Sequence, residues 1–241
     1  MFEDDKVAIT CPVRFRQDWI VAEDASKFFF PTQTHWTSLT EVRLNDKNGQ
    51  SAGNIDIVLV AYDDRGRVTD FGALEVQAVY ISGNVRRPFE YYMEDPGSRF
   101  NMDWTGHGLY PRPDYLSSSR KRLAPQMLYK GGILHAWHKK QAVALHQTFF
   151  ETLPKLPEVA TEDAEIAWLV YDLVLDSEQN RRQLTPHKTV YTRFEPALLR
   201  ITTPEIGPLN IFVEYLQTRL DEKLENGNPP DAPTLTDMIE S

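Results

Sequence analysis

Three carboxylates and one amide stand out because of where the chain puts them. Asp56 is the one charge in the apolar run 55–61, and Glu75 interrupts a second such run. Ile55, Ile57 and Leu59 share one parity while Val58 and Val60 share that of Asp56, so the strand is apolar on both faces and reads as internal to a sheet. The polar turn Asp63-Asp64-Arg65-Gly66-Arg67 predicts a hairpin that sets Asp56 opposite Glu75. A second turn at Asn48-Gly49 closes a hairpin with the short strand 40–44, and this sets Glu41 opposite Asp56. Directly opposed residues have Cβ atoms roughly 4.5–5.5 Å apart, where like charges repel. A cation between them reverses the sign. Gln77 follows Glu75 by two positions and shares its face. Clustered side-chain oxygens of this kind suit a hard divalent cation.

The competing reading is structural: Asp56 caps a turn or pairs with an arginine, Glu75 is a solvated strand charge, and Gln77 is an ordinary surface polar residue. Gly53 and Gly72 are also bulge candidates, and a bulge at either slips the register by one.

The order Glu41, Asp56, Glu75-Val76-Gln77, followed by AVYISGN, resembles the PD-(D/E)xK nuclease superfamily and most closely the NotI-type restriction endonucleases. The likeness is concentrated in residues 11–83 and continues more weakly through YKGGILHAWHKK to residue 147. It implies an α/β fold, a restriction-endonuclease-like core whose mixed sheet carries the acids on an antiparallel meander flanked by helices. It implies Mg2+ as cofactor, with Asp56 and Glu75 as ligands and Glu41 holding a second ion or orienting water. Gln77 stands where most of the superfamily has lysine. A neutral amide donates and accepts hydrogen bonds but brings no positive charge and cannot serve as a base. The resemblance also implies a type II enzyme that acts as a homodimer on double-stranded DNA. A catalytically inactive DNA-binding or scaffold protein on the same fold is the alternative, and a protein-interaction module is a third. NotI-type enzymes also carry a small N-terminal cysteine-rich metal site, and CPVRF resembles the approach to its last cysteine. Either that metal has been lost or the sequence starts downstream of the native start; otherwise Cys11 is a small buried hydrophobe.

The elements that must position these residues follow from pattern. Residues 7–10 read as a short strand and 14–30 as a helix that stops at Phe28-Phe29-Phe30 before Pro31. Residues 83–113 read as a long ordered loop, rich in Pro, Gly and aromatics. A helix over 117–130 is capped by serines and closed by Gly131-Gly132, with Pro125 against it. Residues 133–140 are expected to form a helical turn or two, with strands over 141–145, 164–175 and within 189–203. Leu209, Phe212, Val213, Leu216, Leu220 and Leu224 give helical spacing over 208–225. Residues 1–225 are thus expected to be a single nuclease-like domain with a catalytic core of about 11–147, and 226–241 a flexible tail.

Composition sets the outer bounds. With 241 residues, 41% of them hydrophobic, the chain can build a full core. The single cysteine excludes an internal disulfide framework, and no run is long and apolar enough to span a bilayer, so a cytoplasmic protein is expected. Net charge is −9, which counts against unspecific coating of nucleic acid. Residues 112–140 nonetheless carry Arg120, Lys121, Arg122 and Lys130 among other cations, with Asp114 the one acid. These four are the expected DNA-phosphate contacts. His135 and His138 make a weak zinc signal without further ligands nearby. A phosphate-binding Gly-rich loop and a serine nucleophile elbow are both lacking.

Overall fold

The computed structural model describes residues 7–83, 86–100, 111–178 and 180–225. They fall into two compact units that divide between Thr203 and Pro204. The first is built on a six-stranded mixed sheet: β1 (Trp36–Asn45), β2 (Ser51–Tyr62), β3 (Val68–Gln77), β6 (Gln141–His146), β7 (Ile166–Asp176) and β8 (Arg181–Thr192), in the spatial order β1-β2-β3-β6-β7-β8. β1, β2 and β3 form an antiparallel meander, β3, β6 and β7 run parallel, and β8 returns antiparallel to β7. The strand carrying Asp56 is therefore internal, as its two apolar faces require.

Each face of the sheet buries a helix. Val21, Ala22, Ala25, Phe28 and Phe29 of the helix Ile20–Phe29 pack on Leu59, Leu74, Val76, Ala144 and Leu169. On the other face lies one helical run, 115–136, which alternates α-helical turns with two π-helical segments, Ser118–Leu123 and Met127–Gly131. Its Leu123 and Met127 meet Val143, Leu145 and Trp168, and its Leu134 meets Val58, Val60 and Ala73. Asp56, Glu75 and Gln77 share the parity of that second face, so they point at the 115–136 run.

Several expected elements differ. The helix predicted over 14–30 is broken at Gln17–Trp19, where Asp18 and Trp19 take φ of 50° and 58°. Gln17 accepts a hydrogen bond from the Leu184 backbone and Arg14 donates to the Arg182 carbonyl, so contacts to β8 replace the helical ladder. Residues 7–10 form no strand, although the Ile9 carbonyl accepts from Val79. The predicted loop 83–113 contains helices Arg86–Glu94 and Pro96–Arg99, and β4 (Tyr80–Ser82) pairs with β5 (Arg112–Asp114); residues 101–110 lie outside those described. The strand expected within 189–203 is the end of β8, which runs to Thr192, and helix Phe194–Thr202 follows it. The second unit contains helix Leu209–Glu225, as its spacing predicted, and the proposed tail 226–241 lies outside the described residues.

Two glycines serve close approach and not chain reversal. Gly131, predicted to end its helix, is helical at φ −60°, and the helix runs on to Ala136. A Cβ there would lie 2.8 Å from Phe194 and 2.9 Å from Gln141 Oε1. Gly72, a bulge candidate, sits in register opposite Leu59, and a Cβ there would fall 2.3 Å from the Phe29 ring. Gly72→Ala should therefore destabilise the protein by about 1–3 kcal/mol through overpacking. Each kcal/mol lowers the melting temperature by roughly 2–4 °C in a domain of this size. A calorimetric scan that finds the variant as stable as the parent would contradict this packing.

Candidate active site

The site forms where β2 and β3 stop pairing. Their register runs from Tyr62↔Val68 to Ile57↔Leu74 and ends there, while β3 continues alongside β6 to Gln77↔Leu145. Extending the same register by one step places Asp56 opposite Glu75, as the turn at 63–67 predicted. At this fork the Val76 N–H needs an acceptor, and the half-buried Asp56 supplies one: Oδ2 accepts it at 2.8 Å. One oxygen of Asp56 is thereby fixed to the neighbouring strand.

Glu75 is 8% exposed and Gln77 is 1% exposed, so neither is a surface polar residue. Both meet the 115–136 run. Lys130 Nζ donates to Glu75 Oε2 at 2.6 Å and to the Asn54 carbonyl at 2.7 Å. Gln77 Nε2 donates to Gln126 Oε1, four residues before Lys130 on the same run. Strand neighbours two apart are thus matched to helix neighbours four apart, the natural spacing of one face on each. The Lys130 stem crosses Gly53, whose ideal Cβ position is 3.5 Å from Lys130 Cδ and whose φ of 116° suits glycine.

Two buried oxygens, Glu75 Oε1 and Gln77 Oε1, have no hydrogen-bond partner among the described residues. Burial pushes the Glu75 carboxyl up to about 8, Asp56 raises it further, and the Lys130 ammonium pulls the other way. Below about pH 8 Glu75 keeps a proton that it can share with Asp56; once both are ionised, Oε1 has none and the uncompensated charge is costly. The oxygen-only donor set of Asp56 and Glu75, with an orphaned carboxylate oxygen between strand and helix, fits a hard divalent cation.

The expected third carboxylate is differently placed. Thr40↔Ile57 and Val42↔Ile55 leave Glu41 across from Asp56, in the predicted register. Glu41 is however exposed and its backbone is left-handed at φ 54°, which interrupts the ladder at that residue. Among the described residues no three His, Cys, Asp or Glu side chains come together as a metal-binding group.

The expected phosphate contacts also divide. Arg120 and Lys121 are exposed and Arg122 is half-buried, its guanidinium 5.9 Å from the Tyr80 ring centre. Lys130 does not belong with them: at 3% exposure it is inside the protein, committed to Glu75 and the Asn54 carbonyl. The signal for this was available, because Leu123, Met127, Lys130 and Leu134 fall on one helical stripe and the other three are core. His135 is held by Glu165 at 2.7 Å and stacks on Phe194, and His138 lies exposed in the following turn. Cys11 is exposed, so it is not the small buried hydrophobe of one reading.

The raised Glu75 carboxyl has a stability consequence. Its value in the fold is about 8 against an ordinary 4.5, so the folded protein keeps a proton that the unfolded chain gives up. Its contribution to metal-free stability is full below about pH 4.5 and is lost as pH rises through about 8. Melting temperature without divalent ions should fall across that window, and Glu75→Gln, with no proton to lose, should flatten the fall. An equally steep fall in the variant would locate the proton on another group.

No curated protein matches the chain. A family model described as restriction endonuclease NotI matches residues 1–184, which takes in both acids, the 115–136 run and the sheet as far as the start of β8. With three-quarters of its length so matched, this chain belongs to the NotI restriction endonuclease family.

Proposed function

We propose that this protein is a magnesium-dependent, site-specific type II endonuclease that hydrolyses phosphodiester bonds in double-stranded DNA from a PD-(D/E)xK-like centre. The observation that carries this reading is the meeting of half-buried Asp56 with buried Glu75 at the β2/β3 fork, with Glu75 Oε1 unpartnered. Once Glu75 is ionised, above about pH 8, its buried Oε1 has no proton to share with Asp56, and an unsatisfied buried polar group costs about 1–3 kcal/mol unless a cation takes it.

Asp56 and Glu75 would hold Mg2+. Bound there, the ion acts as a Lewis acid toward the phosphate and makes its water more acidic. Gln77, pinned through Nε2 by Gln126, offers Oε1 as an acceptor that orients the attacking water and takes no proton from it. Glu41, across the register from Asp56, would orient water or hold a second ion. Arg120, Lys121 and Arg122 would contact the DNA backbone, positioning the duplex without reading its sequence. The same reading makes the protein a cytoplasmic homodimer. No described helix is long and apolar enough to cross a membrane.

Asp56→Asn tests the reading. The amide oxygen can still accept from Val76 while the charge is gone, so the fold is kept and repulsion with Glu75 is relieved. Magnesium-dependent cleavage of pooled plasmid and phage DNA should drop at least ~100-fold. DNA binding in calcium should persist, and melting temperature without metal should stay level or rise. A variant that melts well below the parent yet cuts at the parental rate would make Asp56 structural. DNA binding without cleavage by the parent itself would favour an inactive DNA-binding protein on this fold.

A further inference from the structure

Lys130 presents a problem that the nuclease reading leaves unsolved. Burying an ammonium costs several kcal/mol unless it is paired and hydrogen-bonded, and a hydrophobic residue on this stripe would pack at no such cost. The pairing is good: two of the three donors are engaged among the described residues, at 2.6 and 2.7 Å. Yet the partner it chooses, Glu75, still has Oε1 unsatisfied. The lysine therefore does not complete the local hydrogen bonding. It occupies one oxygen and leaves the other open.

We propose that Lys130 is a positioning residue built into this metal centre: it occupies Glu75 Oε2, leaves Oε1 for the divalent cation, and keeps the loaded site net positive. The charge count shows why this matters. Ionised Asp56, Glu75 and Lys130 leave one net negative charge, and a divalent cation turns this into one net positive charge, complementary to a phosphodiester. Without Lys130 the two carboxylates would neutralise the cation, and nothing would be left over for the phosphate. Holding Oε2 also prevents Glu75 from chelating the ion with both oxygens. Gln77, the strand position nearest to Glu75 on this face, is uncharged, so the positive charge must come from elsewhere, and the helix delivers it. This rests on the nuclease reading for its substrate, but its effect on metal binding does not.

The prediction has opposite signs for two quantities. In Lys130→Gln the side chain keeps an N–H donor, one bond shorter than the lysine, and the charge is lost. Ca2+ and Mg2+, titrated against melting temperature, should bind about tenfold more tightly, since the site is more negative and Oε2 is released. Cleavage of the pooled DNA in saturating Mg2+ should fall about 100-fold, the scale seen when one preorganised charge-stabilising group is removed. The exchange variant Gln77→Lys/Lys130→Gln, which moves the ammonium from helix to strand, should bring metal affinity back toward the parent's and recover at least ~10-fold of the lost rate. A merely structural lysine would lower metal affinity and rate together, and that result overturns the proposal. Collapse of both variants overturns it too, because the lysine is then a requirement of the fold. If the parent cuts no DNA, the nuclease reading fails by itself, and the metal titration still decides: tighter binding by Lys130→Gln supports the proposal, while unchanged or weaker binding contradicts it.

Discussion

The site depends on one constraint: a carboxylate placed where little water reaches it. Glu75 stands on a strand covered by the 115–136 run, with Asp56 across the fork and Lys130 above. Ionising it there is costly, which is why burial lifts its carboxyl to about 8 despite the adjacent ammonium. Such an arrangement survives in a marginally stable molecule only if the surrounding fold holds it in place. Here the hold comes from both sides. Val76 binds Asp56 from within the sheet, and the Leu123, Met127 and Leu134 stripe seats the helix that carries Lys130 and Gln126.

The geometry of that helix is matched to the task. It changes between α and π winding, and Lys130 and Gly131 lie in its second π segment. Wider π turns shift which residues face a neighbour and recur at functional sites. Gly131 removes the side chain that would strike Phe194 and Gln141, which lets the run come close enough for a lysine to reach the strand. On its outer side the same run carries Arg120 and Lys121 into solvent. One element thus serves the buried centre and the exposed basic surface. The NotI family match covers all of it.

Much of this was legible in the residues, and the exceptions have physical causes. Two turns with strong signals set the meander, and because side chains alternate strictly along a strand, correct turns bring Asp56, Glu75 and the Glu41 position into register. Backbone strain was invisible: nothing about Glu41 announces a φ of 54°, which tertiary context imposes. Charge along the sequence groups Lys130 with the basic residues before it, while the helical stripe it shares with Leu123, Met127 and Leu134 marks it as internal. Gly131 and Gly72 look like a helix stop and a bulge, yet each makes room for an aromatic ring that is distant in sequence, Phe194 and Phe29. The break after Pro12–Trp19 likewise answers to hydrogen bonds from β8.

Metal-linked stability tests whether the Asp56–Glu75 pair seats a cation, without requiring a known DNA target. Melting temperature should be followed against Mg2+ concentration above pH 8, where Glu75 is ionised in the fold. An ion that binds only the folded state adds stability as RT ln(1 + [L]/Kd), about 2.7 kcal/mol at a hundred times Kd. The parent should show a saturating rise, and Asp56→Asn and Glu75→Gln should each abolish it or move it to much higher concentration. A parent whose melting temperature ignores Mg2+, or one whose response survives both substitutions unchanged, would contradict the claim.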